Sequence, residues 1–251
     1  MKSIILAAGY ATRLYPLTEN FPKPLLDVGG KSILDRLVDD IDSFPEITSH
    51  IIVSNHKFFN IFEEWKASRK FNHPVEIIDD GSTQNENRLG AVKDILFALE
   101  KCKVDEDILV LAGDNILDFS LRGFVDYFKK KNSSCIMRHY EPDIKKLQRT
   151  GVAVVDADGK VLKMQEKPLN PESHWAVPPF YIYKKEDLPF IKKACAPDKD
   201  GKTECGTDAP GDFIAWFCRK NTVYAWEMSG HRHDIGNLES LEEARKIFTA
   251  D

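Results

Sequence analysis

Two basic side chains follow a turn of small residues near the start of the chain, in the stretch LAAGYATRLYPLTENFPKPLL at residues 6–26. Such a turn at the end of a buried strand lets backbone N–H groups converge on an anion. Arg13 adds a forked guanidinium and Lys23 a point charge, and prolines on both sides of Lys23 stiffen its backbone. These residues predict a phosphate-binding site. The alternative is an ordinary strand-to-helix turn with two solvated cations.

A carboxylate follows a strongly apolar segment, ILVLAGDN at residues 108–115. We predict a buried strand here, and Asp114 then lies just past its C-terminal end, on the edge where open α/β sheets bind ligands. Mg²⁺ prefers one or two carboxylates together with phosphate oxygens and water, so Asp114 is a candidate metal ligand. The alternative is an aspartate that stabilises a turn, which is a common role for this residue.

In the first half of the chain, apolar segments alternate with amphipathic ones. Strands are predicted at residues 3–8, 50–54, 75–79 and 107–115, and helices at residues 33–41, 58–70, 89–101 and 121–131. Ser32 is a candidate N-cap for the first of these helices. Strands that alternate with helices imply parallel pairing, with the helices packed on the faces of the sheet.

The second half has a different pattern. Residues 151–167 form two alternating segments around Asp158 and Gly159, which is a strong hairpin signal. Further strands are predicted at residues 178–184 and 223–228, helices at residues 186–194, 212–220 and 239–248, and a polar loop at residues 196–211. We therefore predict one domain of the α/β class. Its Rossmann-like, mixed, mostly parallel central sheet is flanked by helices and has an antiparallel extension in the second half.

The composition is that of a globular protein, with 251 residues, 42% of them hydrophobic and 30% charged. A net charge of −5 disfavours a protein that coats nucleic acid. The five cysteines are scattered and form no C-x-x-C pair, which favours reduced thiols and a cytoplasmic location. The start of the chain does not resemble a signal peptide, and no segment has the roughly 18 apolar residues of a membrane span. We expect neither nucleic acid nor a membrane as partner.

The segment LAAGYATRLYPLTENFPKPLLDVGGKSIL resembles the signature of the sugar-phosphate nucleotidyltransferase family, the nucleoside-diphosphate-sugar pyrophosphorylases. The family pattern has glycine at the position of Ala11 and often proline at the position of Asp27. Ala11 constrains the backbone more than glycine does. The resemblance extends over nearly the whole chain, because later motifs occur in the family order.

The resemblance implies a division of roles within the signature. It implies that a nucleotide contacts the loop formed by Ala7, Ala8, Gly9, Tyr10, Ala11 and Thr12. It also implies that Arg13 binds the phosphates that leave as pyrophosphate, and that Lys23 lies near the α-phosphate and the attacking phosphate. The two cations are then the catalytic residues. Residues 1–115 form a nucleotide-binding half, and residues 116–251 form an acceptor-binding half.

Later motifs resemble the family elements that hold the metal and the acceptor. By this resemblance Asp114 and, in HRHDIGNLESL, Asp234 are Mg²⁺ ligands. Acceptor-binding residues are Glu166 and Lys167 in QEKP, Asp212 behind a flexible loop that would act as a lid, and Arg232. Arg232 stands where the family often has an aromatic residue, and we hypothesise that it suits a more anionic acceptor. We interpret His231 and His233 as loop residues or substrate contacts in preference to metal ligands. Trp175 either stacks on a sugar or packs in a hairpin.

The base-recognition loop is implied by NENRLGAVKDIL, which resembles the family's LGTAGAL helix start at Leu89 and Gly90. Gly90 would let the backbone approach a flat base. Gln84 and Asn85 carry amides that can donate to and accept from a base edge. A glutamine that some thymidylyl- and uridylyltransferases place before this leucine has no clear counterpart, so CTP, UTP and dTTP all remain open.

These observations predict an Mg²⁺-dependent nucleotidyltransferase that joins an NTP, with a pyrimidine favoured, to a phosphomonoester, favoured to be a sugar 1-phosphate. One alternative is a cytidylyltransferase that acts on a non-sugar phosphate such as phosphocholine. Others are a glycosyltransferase, whose metal acids usually read D-x-D, and a non-catalytic nucleotide-binding regulator. No hexapeptide repeats follow, so we expect no fused acetyltransferase activity. A homodimer is left open.

Overall fold

The computed structural model describes residues 1–249, which form fourteen strands and eight α-helices. The strands are β1 (Lys2–Leu6), β2 (Asp27–Val28), β3 (Lys31–Ser32), β4 (Ser49–Ser54), β5 (Val75–Asp79), β6 (Ile108–Ala112), β7 (Asn115–Leu117), β8 (Cys135–Tyr140), β9 (Gly151–Val155), β10 (Val161–Glu166), β11 (Trp175–Val177), β12 (Phe180–Tyr183), β13 (Tyr224–Glu227) and β14 (Arg232–Asp234). The α-helices are α1 (Ile33–Ile41), α2 (Phe59–Ala67), α3 (Ala91–Lys101), α4 (Arg122–Lys131), α5 (Ile144–Leu147), α6 (Leu188–Cys195), α7 (Pro210–Phe217) and α8 (Leu238–Ile247).

The chain folds into two compact units. The first unit contains Met1–Arg88, Ala112–Arg122 and the residues from Ser229 onward, and the second contains Leu89–Leu111 and Gly123–Met228. The chain therefore passes between the units several times, whereas the predicted nucleotide-binding and acceptor-binding halves meet at a single boundary after residue 115. The expectation of one domain with those halves stays a prediction.

Parallel strands form the sheet of the first unit, as the alternating pattern predicted. β1 pairs with β4 from Lys2 opposite Ser49 onward, and β4 pairs with β5 from His50 opposite Val75 onward. The isoleucines of β1 and the apolar centre of β4 are almost completely buried. Continuous apolar strands of this kind are covered on both faces, which explains why they show no polar–apolar alternation.

Helix α1 begins at the predicted N-cap. The Ser32 hydroxyl accepts the Asp35 N–H over 3.0 Å, and the Asp35 carboxylate accepts the Ser32 N–H over 3.3 Å. This reciprocal pair satisfies two backbone donors that the first turn leaves unpaired. The apolar side chains of α1 that recur at helical spacing are all buried.

A short antiparallel pair in the first unit was not predicted. β14 pairs with β7, with Arg232 opposite Leu117 and Asp234 opposite Asn115. An apolar cluster joins the signature segment, β7, the residue after β14, and α8 through Leu14, Leu26, Val28, Ile33, Ile116, Ile235, Leu241 and Ala244. The cluster holds segments that are distant in sequence together on one small core.

The second unit contains the predicted antiparallel extension. Its strands lie in the order β10-β9-β11-β8-β12-β6, with antiparallel pairing throughout, and β13 pairs with β8 in parallel. The predicted hairpin is present as β9 and β10, and Gly159 in its turn has a φ of +81°. The structure thus confirms the α/β class, with parallel strands early and antiparallel strands later. β8 and β11 were not predicted.

Within residues 1–249, no helix is both long enough and apolar enough to span a bilayer.

Candidate active site

Side-chain hydrogen bonds hold the signature loop in the first unit. Asn55 Nδ2 donates to the Ala8 carbonyl oxygen over 3.0 Å, and Thr18 Oγ1 donates to the Ala11 carbonyl oxygen over 2.8 Å. A Cβ added to Gly9 would meet no atom within 4 Å. Ala7 and Ala8 are buried, and Thr12 is exposed at the start of a 3-10 turn. The loop is therefore fixed at both flanks and open at its centre.

The side chain of Tyr10 points away from the open face of this loop. It is 5% exposed, and its hydroxyl donates to the Ser82 carbonyl oxygen over 2.9 Å. Burial raises the pKa of Tyr10, so its hydroxyl stays a donor at neutral pH. The buried side chain leaves only the backbone of Tyr10 for contact with a ligand, and that contact stays a prediction.

Ala11 has left-handed backbone angles, with φ 47° and ψ 42°. This conformation costs a residue with a Cβ about 1–2 kcal/mol, and glycine adopts it freely. The structure thus explains why the family usually has glycine here. The neighbouring hydrogen bond from Thr18 and the packing of Ala11 against the apolar cluster keep the loop in place despite this cost.

Lys23 is nearly buried and forms an ion pair with the partly exposed Asp114. The residue is 8% exposed within a 3-10 turn, and its Nζ lies 2.8 Å from Asp114 Oδ2. Sequence analysis placed both residues in the site but did not predict that they pair. The two flanking prolines fix the turn, so that the lysine is presented to the carboxylate from a stiff backbone.

Asp114 follows β6 and uses both carboxylate oxygens. Oδ2 accepts from Lys23, and Oδ1 accepts the Asn115 amide over 2.7 Å. Gly113 precedes it and donates its N–H to the Leu6 carbonyl oxygen over 2.9 Å. A Cβ at Gly113 would lie 3.1 Å from that oxygen, so the small residue allows the close approach that positions Asp114 beside the end of β1.

Asp234 lies next to Asp114 through the β7–β14 pair. Its side chain remains accessible to solvent although protein atoms crowd around it. This crowding raises the pKa of Asp234, and the negative charge of Asp114 raises it further. The positive charges of Arg232, Lys23 and Arg13 act in the opposite direction. The structure therefore brings together the two predicted metal ligands and both predicted catalytic cations in one electrostatic centre.

Arg232 is held by a residue that sequence analysis did not single out. Its guanidinium donates to Asn115 Oδ1, and Asn115 is 1% exposed, so the amide bridges Arg232 and Asp114. The Nε atom of Arg232 is buried without a partner among the described residues. The predicted contact with an acceptor is not tested by this arrangement.

The two histidines of HRHD make contacts within the protein. His231 contacts Asp118 through its backbone N–H, at 2.6 Å, and through Nδ1, at 2.9 Å. His233 packs edge-on against Phe248 at a centroid distance of 5.2 Å. Across residues 1–249, no three His, Cys, Asp or Glu side chains form a metal-binding group. A cation at the Asp114–Asp234 pair would need further ligands from water or substrate.

The predicted base-reading amides of the first unit lie on an exposed turn at Asn85–Asn87. Asn87 Oδ1 accepts the N–H groups of Thr83 and Gln84, which leaves the Gln84 amide in solvent. Asn85 is exposed and accepts from Arg88 over 3.4 Å. Gln84 and Asn85 are thus exposed while Asn87 maintains the turn, and their contact with a base stays a prediction.

Gly90 and Leu89 belong to the second unit, at the start of α3. Gly90 has a φ of +92°, and an added Cβ would lie 2.5 Å from the Thr207 carbonyl oxygen. The carbonyls of Asp208 and Thr207 accept the N–H groups of Ala91 and Val92 and so cap the helix. These contacts explain the glycine without a ligand, and contact with a base stays a prediction.

Glu166 ends β10 beside two glycines. An added Cβ would lie 1.9 Å from Glu166 Oε2 at Gly211 and 3.2 Å from it at Gly151. Burial raises the pKa of Glu166 to about 7, with Lys167 opposing and Asp212 reinforcing the shift. The glycines leave just enough room for this carboxyl group, which therefore changes charge near neutral pH.

The other predicted acceptor residues occupy different settings. Lys167 is exposed and has a left-handed φ of 45°. Asp212 lies in the first turn of α7 and accepts the Ala209 N–H over 3.0 Å, so it caps the helix, and its role in an acceptor lid stays a prediction. Trp175 is covered by the Arg138 guanidinium at 4.0 Å and by Tyr140, which is the hairpin-packing role.

Comparisons with known proteins establish the family of this chain. Residues 2–250 match the profile of the family described as nucleotidyl transferase. The chain belongs to this family. It is 33% identical over 245 residues to the bifunctional protein GlmU of Methanococcus aeolicus, a match that covers 97% of this chain and 53% of that protein. It is 28% identical over 260 residues to the glucose-1-phosphate adenylyltransferase of Thermotoga sp. strain RQ2, covering 96% and 59% respectively. The chain thus spans about half the length of these curated relatives.

Solved structures share the fold. A Bacillus anthracis chain assigned as a glucose-1-phosphate thymidylyltransferase, solved in complex with sucrose, superposes with a TM-score of 0.82 at 25% identity, covering 99% of this chain and 95% of that one. UDP-glucose pyrophosphorylase complexed with UDP-glucose superposes with a TM-score of 0.79 at 19% identity, covering 98% and 97%. The second likeness concerns the fold alone.

Proposed function

We propose that this protein transfers a nucleotidyl group from an NTP to a sugar 1-phosphate, releasing pyrophosphate and forming an NDP-sugar. Family membership and the printed activities of the relatives support this proposal. The observation that carries it is the ion pair between the nearly buried Lys23 and the partly exposed Asp114, which lies beside Asp234 and the open signature loop. A buried lysine paired with an accessible acid, next to a second acid, is the arrangement that handling of phosphates would require, and it disfavours the non-catalytic regulator.

The proposed reaction is an in-line displacement at the α-phosphorus. The acceptor phosphate oxygen forms the new P–O bond while the bond to the β-phosphate breaks. Because a phosphate oxygen is already anionic at neutral pH, no general base is required, and catalysis rests on positioning and charge. Lys23 would draw the two anions together, and Arg13 would bind the departing pyrophosphate.

We also propose that Asp114 and Asp234 hold Mg²⁺. Burial and the negative charge of Asp114 raise the pKa of Asp234, and a hard divalent cation would stabilise the ionised form of such a neighbouring carboxylate pair. Among residues 1–249 no third acid, histidine or cysteine completes a metal-binding group here, which suits a metal that takes its other ligands from phosphates and water. When bound, the cation would neutralise charge on the phosphates.

Acceptor and base contacts extend the proposal. Glu166 would meet sugar hydroxyls, Lys167 the acceptor phosphate, and Arg232 further negative charge. Gln84 and Asn85 would contact the base edge, with the backbone of Leu89 and Gly90 as the other base contact. The oligomeric state is open.

A pyrophosphate-release screen tests the proposal. Purified protein with Mg²⁺ is given each of CTP, UTP, dTTP, GTP and ATP, crossed with sugar 1-phosphates and with non-sugar phosphomonoesters such as phosphocholine. Release that requires one NTP and one sugar 1-phosphate supports the proposal and names the substrates. Release with phosphocholine alone would replace the sugar with a non-sugar acceptor. Absence of both turnover and NTP binding would refute the proposed nucleotidyltransferase activity.

A further inference from the structure

Two buried thiols meet at the end of α6 in the second unit. Cys195 is the last residue of the helix and is 7% exposed, and Cys205 is 6% exposed. The Cys205 N–H donates to the Ala194 carbonyl oxygen over 3.4 Å, which brings the two cysteines side by side. The Cys205 thiol donates a hydrogen bond to the same Ala194 carbonyl oxygen over 3.7 Å, directly beside Cys195. Neither thiol belongs to the proposed active site.

The segment between the two cysteines folds back on itself. Pro197 and Thr203 form an isolated antiparallel bridge. Asp198 donates its N–H to the Lys202 carbonyl oxygen over 2.8 Å and accepts the Lys202 N–H at its carboxylate over 2.9 Å. Because the ends of the loop are already adjacent, a covalent link between the cysteines would need little backbone movement.

The two thiols differ in reactivity. The neighbouring Cys205 thiol, together with the positive charge of Lys93, lowers the pKa of Cys195, whereas the pKa of Cys205 is raised. The thiolate is the form that reacts with oxidants, so Cys195 is the attacking group and Cys205 the resolving one. By contrast, burial raises the pKa of Cys135 to about 12 and also raises the pKa of Cys218.

We propose that Cys195 and Cys205 form an intramolecular disulfide when the protein meets hydrogen peroxide. The Cys195 sulfur attacks one peroxide oxygen, the O–O bond breaks, and water and a sulfenic acid on Cys195 result. The Cys205 sulfur then attacks the Cys195 sulfur, the S–O bond breaks, and the leaving hydroxide takes the Cys205 proton as a second water. The peroxide gains two electrons and the two thiols lose them, and a dithiol reductant reverses the change.

The disulfide would act on the start of α3. Thr207 and Asp208, which follow Cys205 closely, accept the N–H groups of Val92 and Ala91 through their carbonyls. A bond at Cys205 ties this segment to α6, so the caps of α3 open less often. We expect slower hydrogen exchange at the Ala91 and Val92 amides and a rise in Tm of roughly 2–8 °C.

The test uses the full chain, graded hydrogen peroxide, alkylation of the remaining thiols and peptide mapping without reduction. We expect two of the five thiols to disappear together in a Cys195–Cys205 peptide that dithiothreitol restores. In Cys205→Ser, dimedone should trap a sulfenic acid on Cys195, and the matched control Cys218→Ser should behave as the wild type. A link to any other cysteine, or five unmodified thiols in the folded wild type, would overturn the proposal. These readouts do not depend on the transferase activity.

Discussion

Lys23 Nζ and Asp114 Oδ2 lie 2.8 Å apart, although ninety-one residues separate them in the chain. Lys23 is almost completely buried, and the Asp114 side chain retains 38% of its exposure. Removing the partner of a buried cation destabilises the folded state. The ion pair therefore stabilises the positions of both side chains in the ligand-free protein. A cation or phosphate that binds at the exposed part of the Asp114 carboxylate would weaken or strengthen its ion pair with Lys23.

Under the proposed function, Lys23→Met should lower kcat/KM for pyrophosphate release by about 10²–10³-fold, because it removes the charge that would draw the two phosphates together. The methionine keeps the chain length and the packing of the buried stem. Steady-state kinetics on both substrates measure the effect. Lys31→Met is the matched control, since Lys31 also pairs with an aspartate, Asp39, at 2.8 Å but is exposed. Equal losses in both variants would contradict the role of Lys23.

Removal of divalent metal should abolish turnover, and Mg²⁺ should restore it. Asp114→Asn and Asp234→Asn should each lower activity by at least about 10²-fold and raise the Mg²⁺ concentration needed for half-maximal rate. The Asp234 change should also raise the Tm of the metal-free protein at neutral pH, because it removes a carboxylate crowded against Asp114. Full activity in the presence of a metal chelator would refute the proposed dependence on Mg²⁺.

Ala11→Gly should stabilise the protein by about 0.5–1 kcal/mol, because glycine adopts the left-handed angles at this position without the strain of a Cβ. Urea unfolding monitored by far-UV circular dichroism measures the change. The reverse substitution at Gly30 is the control. Gly30 has a φ of +80° and no neighbour within 4 Å of an added Cβ, so Gly30→Ala should cost about 1–2 kcal/mol through backbone strain alone. Changes of the same sign in both variants would contradict this explanation.

Local sequence patterns were sufficient for much of the fold. The capping box at Ser32, the parallel apolar strands and the hairpin at Gly159 each depend on residues a few positions apart. β7 and β14 escaped prediction because each has only three residues, too few to show a period. Their pairing joins segments more than a hundred residues apart, and that contact places Asp234 beside Asp114.

Like the pairing of β7 with β14, the buried polar networks could not be predicted from local sequence patterns. Ser3 Oγ lies 2.7 Å from His50 Nδ1, and His50 Nε2 lies 3.0 Å from Asp42 Oδ1, all three residues being buried. The order of partners is that of a hydrolytic triad, yet no substrate could reach the serine, so the network is structural. Motif resemblance identified the residues of the candidate site, whereas the partners Asn115 and Gly211 emerged only from the three-dimensional contacts.

The charge of Glu166 should make stability depend on pH. Its pKa is raised from 4.5 to about 7, so the folded state prefers the protonated form. Stability is fully present below pH 4.5 and falls as the pH rises through 7, because ionising the buried carboxyl is unfavourable. Glu166→Gln should therefore match the wild type near pH 4 and exceed it by about 1–3 kcal/mol at pH 8.

Urea unfolding at a series of pH values checks this dependence. Glu227→Gln, which changes an exposed glutamate on β13 in the same unit, is the control. Its stability relative to the wild type should not increase between pH 4 and pH 8. A difference between Glu166→Gln and the wild type that stays constant from pH 4 to pH 8 would show that the carboxyl does not titrate in this range.

Gly211→Ala should expose the contact that holds Glu166. The new Cβ would lie 1.9 Å from Glu166 Oε2, so the carboxyl group must move. We expect a loss of about 1–3 kcal/mol from overpacking and, under the proposed function, a higher KM for the sugar phosphate with little change in the KM for the NTP. In a Glu166→Ala background the same substitution has no carboxyl to displace. There it should be neutral or stabilise by up to about 1 kcal/mol, because alanine suits a helix better than glycine does. A double-mutant cycle measures the coupling, and additive effects would show that Gly211 does not position Glu166.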